Sequence, residues 1–84
     1  MEAEAVLEEL LALLEQNGVI IRTEPMGGSG GGLCTIKDKQ VFFVDAESAT
    51  ADTAALCAQA VRETVDLENI YLKPQIRAFL ENGG

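Results

Sequence analysis

The sequence predicts an α+β fold, in which three helices pack on a three-stranded antiparallel meander to form a single two-layer domain over residues 1–84. Two observations lead to this prediction. Apolar residues recur with a helical period at both ends of the chain and after residue 50. Between them lie three short runs rich in β-branched and aromatic residues. The predicted order is α-β-β-β-α-α, with room for a fourth short strand before the last helix.

The first helix is predicted over residues 2–16. Its apolar side chains cover one continuous arc of about 160° on a helical wheel, and its glutamates occupy the opposite side. Asn17 and Gly18 end it. Because this arc is wider than one narrow contact needs, Leu7, Leu11 and Leu14 are candidate interface residues.

A strand over residues 19–24 follows and ends at Pro25. The next segment, residues 26–32, holds five of the eight glycines of the chain and is predicted to be a flexible loop. We call it the glycine-rich loop.

Residues 33–37 and 40–45 are predicted to form a hairpin that turns at residues 38–39, which places Cys34 opposite Phe43. The second of these strands is apolar on both faces, whereas a half-solvated sheet alternates. Both faces therefore need a cover, which three helices or a second copy can supply. Since a core of this size is marginal, we expect a homodimer.

Small residues fill the inward face of a second helix, predicted over residues 50–65, and Leu56 projects from nearly the opposite side as a further candidate contact. Residues 69–72 offer the short fourth strand. Pro74 suits the first position of the last helix, and Asn82-Gly83 ends it.

Composition excludes several functions. The net charge is −8 and the chain contains no histidine, which argues against broad nucleic-acid binding and against His-dependent catalysis or metal binding. Two cysteines are too few for a structural zinc site. We therefore expect no metal and no cofactor. The apolar runs are too short to span a bilayer, and the N-terminus lacks a secretory signal, so we expect a cytoplasmic protein that binds no membrane.

The glycine-rich loop is the first candidate site. Backbone N–H groups of Gly28, Ser29, Gly30 and Gly31, with Arg22 nearby in sequence, could hold an anion or phosphate. The segment lacks the Lys-Ser/Thr ending of a P-loop and runs into a strand instead of a helix. The alternative, which we favour, is a flexible hairpin loop, and one form of it passes close to another backbone segment.

Cys34 is the weak catalytic candidate, because a thiolate just after this loop would lie beside its N–H groups. No histidine can serve as its base, and the alternative is a small apolar residue in the sheet. Asp45 and Glu47 follow a buried strand, where turn and capping roles are favoured over weak cation binding.

These observations favour a small, acidic, non-catalytic protein-interaction module that binds itself as a homodimer, or another protein. Two alternatives stay open. One is a small thiol-dependent enzyme or redox protein that uses Cys34. The other is a sensor that binds a small ligand or anion in the glycine-rich loop.

Overall fold

Three helices and three strands follow one another in a computed structural model that describes residues 2–82, and they confirm the α+β class. Their bounds, in chain order, are α1 (Ala3–Gln16), β1 (Ile20–Glu24), β2 (Gly32–Ile36), β3 (Lys39–Asp45), α2 (Thr50–Thr64) and α3 (Pro74–Glu81).

The sheet is mixed, and the predicted antiparallel meander is wrong. The strand order is β1-β3-β2, with the last strand of the three in the centre. β1 runs parallel to β3, from Ile20 beside Val41 to Glu24 beside Asp45, and β2 runs antiparallel to β3. The glycine-rich loop is the cause, since it carries the chain past the C-terminal end of β3 to the opposite edge of the sheet. It therefore does not turn β1 back onto β2.

The β2–β3 hairpin forms with a different turn and register from those predicted. Its two turn residues are Lys37 and Asp38, with φ of 49° and 67°. Two left-handed residues in a two-residue loop give a type I′ turn, whose twist matches that of the strands. Cys34 consequently lies opposite Val41 and not opposite Phe43. Because this shift is two residues, every side chain keeps its predicted face.

One face of the sheet, the inner face, carries the hydrophobic core. Phe42 is fully buried there, and Ile21, Leu33 and Val44 pack beside it. α1 and α2 contact the strands, and α3 packs on those two helices. The small inward residues of α2 are buried as the sequence predicts: Ala54, Cys57, Ala58 and Val61.

The opposite face is not covered by a helix within residues 2–82. We call it the open face; its apolar members are Ile20, Cys34, Ile36, Val41 and Phe43. The strand register gives their positions. Val41 and Phe43 are the chain neighbours of Phe42 in β3, so their side chains lie on the face opposite to that of Phe42. Residues paired directly with them lie on the same face as they do. Val41 is only 5% exposed, although it does not belong to the cluster of buried side chains that contains Phe42.

The segment between α2 and α3 forms no strand, so the fourth strand proposed over residues 69–72 is absent from the described part of the chain. Leu72 is instead buried in the core between the helices. Arg62 of α2 donates a hydrogen bond of 3.1 Å to the carbonyl oxygen of Leu80, near the end of α3. The predicted stop at Gly83 lies outside the described residues.

Candidate functional site

The glycine-rich loop closes over a carboxylate of the same chain. Asp45, the last residue of β3, accepts four hydrogen bonds at this end of the sheet. Its Oδ1 accepts the N–H groups of Met26 at 2.9 Å and Glu47 at 2.8 Å. Its Oδ2 accepts the N–H of Gly30 and the hydroxyl of Ser48, each at 3.0 Å. The carboxylate of Asp45 thus links the loop before β2 to the turn after β3.

Asp45 stays ionised in this position. Its side chain is almost fully enclosed, with the residue 2% exposed. Burial raises the pKa of the carboxyl group, but the N–H groups of Glu47, Gly30 and Met26 and the Ser48 hydroxyl outweigh that effect and lower the pKa to about 2. The loop therefore holds an anion, as a nest of N–H groups can, and the anion is a side chain of the protein itself.

The other predicted ligand residues are divided between the loop and the sheet. Gly28 and Ser29 are exposed, and the Ser29 hydroxyl donates a 2.7 Å hydrogen bond to the carbonyl of Met26. Arg22 does not join them. Its guanidinium forms an exposed ion pair of 2.7 Å with Glu24 and lies 6.0 Å from the centre of the Phe43 ring. The structure thus brings the four loop residues together and leaves Arg22 on the open face.

Gly31 passes so close to β3 that it has no room for a side chain. A Cβ atom built on Gly31 would stand 1.8 Å from the carbonyl oxygen of Phe43. The close approach to another backbone segment, which is one form of the favoured interpretation, is present here. The loop is not a hairpin connection, however, because β1 and β2 lie at opposite edges of the sheet.

The two cysteines lie in different environments. Cys34 is an exposed free thiol on the open face, opposite Val41. Cys57 is a buried free thiol in α2, and burial raises its pKa to about 12. Because the Met26 and Gly30 amides of the loop bind Asp45, the structure does not place them as donors to Cys34. Within residues 2–82, no three His, Cys, Asp or Glu side chains form a group that could hold a metal ion.

The leucines named as interface candidates face the interior. Leu14 is fully buried, and Leu7 and Leu11 are half-buried against the core. The wide apolar arc of α1 has an internal explanation, since α1 contacts α2, α3 and β1 at once. Leu56 is also half-buried, and its Cδ1 would lie 3.6 Å from a Cβ on Gly30.

Sequence reasoning did not name Ile20 and Ile36, the most exposed aliphatic residues of the open face. They are 44% and 45% exposed. The sequence signal that points to Ile20 and Ile36 is that β3 carries apolar residues on both of its faces. It shows that apolar side chains lie on both faces of the sheet, but the strand order is needed to identify their neighbours.

The chain was compared with protein-family models, with curated proteins and with solved structures, and none of them matches it. Among the described residues, no helix is both long enough and apolar enough to cross a membrane.

Proposed function

We propose that this protein is a non-catalytic protein-interaction module that forms a homodimer through its sheet. The observation that carries the proposal is the open face. Ile20 and Ile36 flank Val41 and Phe43 there, and the helices of the described chain pack on the other side. Exposed apolar clusters on small domains mark interaction sites, because covering them removes apolar surface from water.

The charge distribution supports self-association on this side of the sheet. The chain carries a net charge of −8, and five of its acidic residues lie within the first 16 positions, on or beside α1. The open face carries Arg22, Glu24, Lys39 and Asp45, whose charges cancel. Two copies therefore repel each other least when they meet with their sheets and keep their acidic helices apart.

The chemistry of the site supports a non-catalytic role. The chain has no histidine to act as a base near neutral pH. Asp45 is held as a carboxylate by four hydrogen bonds, and Cys57 is buried with a raised pKa. The thiols of Cys34 and Cys57 are both free, which supports our proposal that the protein acts in the reducing cytoplasm.

Sedimentation velocity over about a hundredfold range of protein concentration tests the homodimer. We expect the wild-type protein to shift from monomer to dimer within this range. Ile36→Lys places a charge on the open face and on β2, and we expect it to stay monomeric. The matched control is Tyr71→Lys, which removes an aromatic side chain that is 83% exposed and lies outside the sheet.

We expect Tyr71→Lys to dimerise like the wild-type protein. A wild-type protein that stays monomeric throughout would overturn the proposal. Equal dimerisation of Ile36→Lys and Tyr71→Lys would overturn the assignment to the sheet.

A further inference from the structure

We infer that two copies associate by antiparallel pairing of their β2 strands, with Cys34 of one copy facing Cys34 of the other across the two-fold axis. The inference rests on the proposed homodimer and assigns its contact to the β2 edge of the sheet, where Cys34 and Ile36 of the open face lie, while Ile20 at the far edge stays outside the contact. The two three-stranded sheets would join into one sheet of six strands. Four features of the molecule support this arrangement.

The first feature is the composition of the two sheet edges. β1 and β2 are both edge strands, since β3 lies between them. β1 carries Arg22 and Glu24 and is followed by Pro25, and such residues discourage pairing with another chain. β2 (Gly32–Ile36) contains no charged residue and no proline, and Cys34, Thr35 and Ile36 are exposed. The unprotected edge is therefore β2.

The second feature is the direction of the backbone groups in β2. Ile36 and Lys39 close a two-residue turn, which makes them a hydrogen-bonded pair of the antiparallel ladder. Such pairs alternate along the ladder, so Cys34 is bonded to β3. Leu33 and Thr35 then direct their N–H and C=O groups away from β3, toward the free edge.

The third feature is the register that these free groups dictate. When Leu33 of each copy lies opposite Thr35 of the other, four N–H···O=C bonds form symmetrically about the axis. Cys34 then faces its counterpart as a non-hydrogen-bonded pair, for which Cα atoms lie about 4.5 Å apart. That separation falls inside the range of about 4.4–6.8 Å that a disulfide spans.

The fourth feature is the charge at the two ends of the sheet. Glu24 and Asp45 end the parallel strands β1 and β3, and Glu47 follows at the same end. Lys37, Asp38 and Lys39 lie at the other end, at the hairpin turn, and together carry a net charge of +1. An antiparallel arrangement places the basic end of each copy beside the acidic end of its partner. The second copy therefore offers the complementary charge pattern that this edge needs.

A groove of about 300 Å³ runs beside the β2 edge and leaves space for the second copy. Its lining residues come from β2 and α2: Gly32, Leu33, Leu56, Gln59, Ala60 and Glu63. The side chains of Leu33 and Thr35 from the second copy point to the inner face in this register. They would lie at the mouth of this groove, where Leu56 supplies apolar contact.

Disulfide trapping with diamide tests the register. Diamide takes up two electrons and two protons as two thiols join, and the product is measured on a non-reducing gel. We expect the wild-type protein and Cys57→Ser to form a covalent dimer, and Cys34→Ser to form none.

A proline at the free edge tests the hydrogen bonds. Thr35→Pro removes an N–H that points away from β3, so the β2–β3 ladder keeps its bonds. The matched control, Thr35→Val, has a similar size and retains the N–H. We expect Thr35→Pro to raise the dissociation constant of the dimer by about tenfold or more, and Thr35→Val to change it far less. Circular dichroism establishes that each variant is folded, and if Thr35→Pro does not fold, the trapping of Cys34 decides the test.

The outcomes separate this inference from the proposed function. A dimer in sedimentation that gives no Cys34 disulfide would overturn the β2 register and leave the homodimer standing. Loss of that dimer in Ile20→Lys, at the far edge of the sheet, would identify face-to-face packing of the open faces instead. A monomer at every concentration would overturn both.

Discussion

Gly31 lies directly against the carbonyl oxygen of Phe43, and this contact fixes how the glycine-rich loop crosses the end of β3. A Cβ at Gly31 would stand 1.8 Å from that oxygen, and only a shift of the backbone could relieve this overlap. At this contact the backbone of the loop and the backbone of β3 therefore each limit the position of the other. The carboxylate of Asp45, two residues further along β3, accepts hydrogen bonds from the Met26 and Gly30 N–H groups of the same loop.

Gly31→Ala tests this contact. We expect the variant to lose about 3 kcal/mol of stability, because either the loop or β3 must shift. The control is Gly28→Ala, where the nearest atom to a Cβ, the Glu47 carbonyl oxygen, is 3.9 Å away and only the positive φ of 79° is unfavourable. That strain costs about 1 kcal/mol. Urea unfolding of both variants gives the comparison, and equal losses would contradict the close contact.

Asp45→Asn tests the carboxylate that the loop encloses. An amide can keep the bonds from Met26 and Glu47 to one oxygen, but its NH₂ group then faces the N–H of Gly30. We expect the variant to be less stable than the wild-type protein at pH 7. Asp66→Asn is the control, since Asp66 is exposed and its bonds stay within its own turn.

The difference in stability between the wild-type protein and Asp45→Asn is expected to depend on pH. The pKa of Asp45 is lowered to about 2 in the folded protein, from about 3.9 in an unfolded chain. The stabilisation is complete above the unfolded value and is lost as the pH falls through the folded value. The stability difference between wild type and Asp45→Asn should shrink between about pH 4 and pH 2. A stability difference that stays constant over this pH window would show that the charge of Asp45 does not contribute to stability.

We expect substitutions in the β2–β3 hairpin turn to stabilise the protein. Lys37 and Asp38 both adopt left-handed backbone angles, which asparagine and glycine tolerate better. We expect the double variant Lys37→Asn/Asp38→Gly to gain about 1 kcal/mol in urea unfolding. Lys37→Ala/Asp38→Ala removes the same two charges without favouring a positive φ, so it should bring no gain. A gain of the same size in this double alanine variant would assign the effect to charge.

The sequence predicts the local structure of this protein better than its strand order. Period and composition locate all three helices and the three strands, and they assign the faces of β2 and β3 correctly. They do not predict that β1 pairs with β3, because a seven-residue glycine-rich loop can either turn a strand back or carry it past a third strand. The contacts that the loop makes on its observed path, with the carboxylate of Asp45 and at Gly31, are long-range and leave no periodic signal.

The candidate site was predictable in part. N–H groups of the glycine-rich loop do hold an anion, but the sequence could not indicate that Asp45, 15 residues beyond Gly30, supplies it. The width of the apolar arc of α1 predicts an interface, and in the structure α1 contacts three internal elements, α2, α3 and β1. The apolar pattern of β3 gave the correct expectation of two apolar faces. Only the fold shows that the helices cover one of them.

The central position of β3 also orders the events of folding. β3 is the last of the three strands to be synthesised, so neither edge strand has its partner until residue 45 has emerged. β2 and β3 are joined by a two-residue turn, and their hairpin closes within microseconds. We expect β1 to pair with β3 later, because its partners lie 21 residues ahead of it in sequence, whereas only two residues separate β2 from β3. We therefore expect β1 to be the last strand added and the first to detach on unfolding, and the loop over Asp45 to order only when β1 arrives.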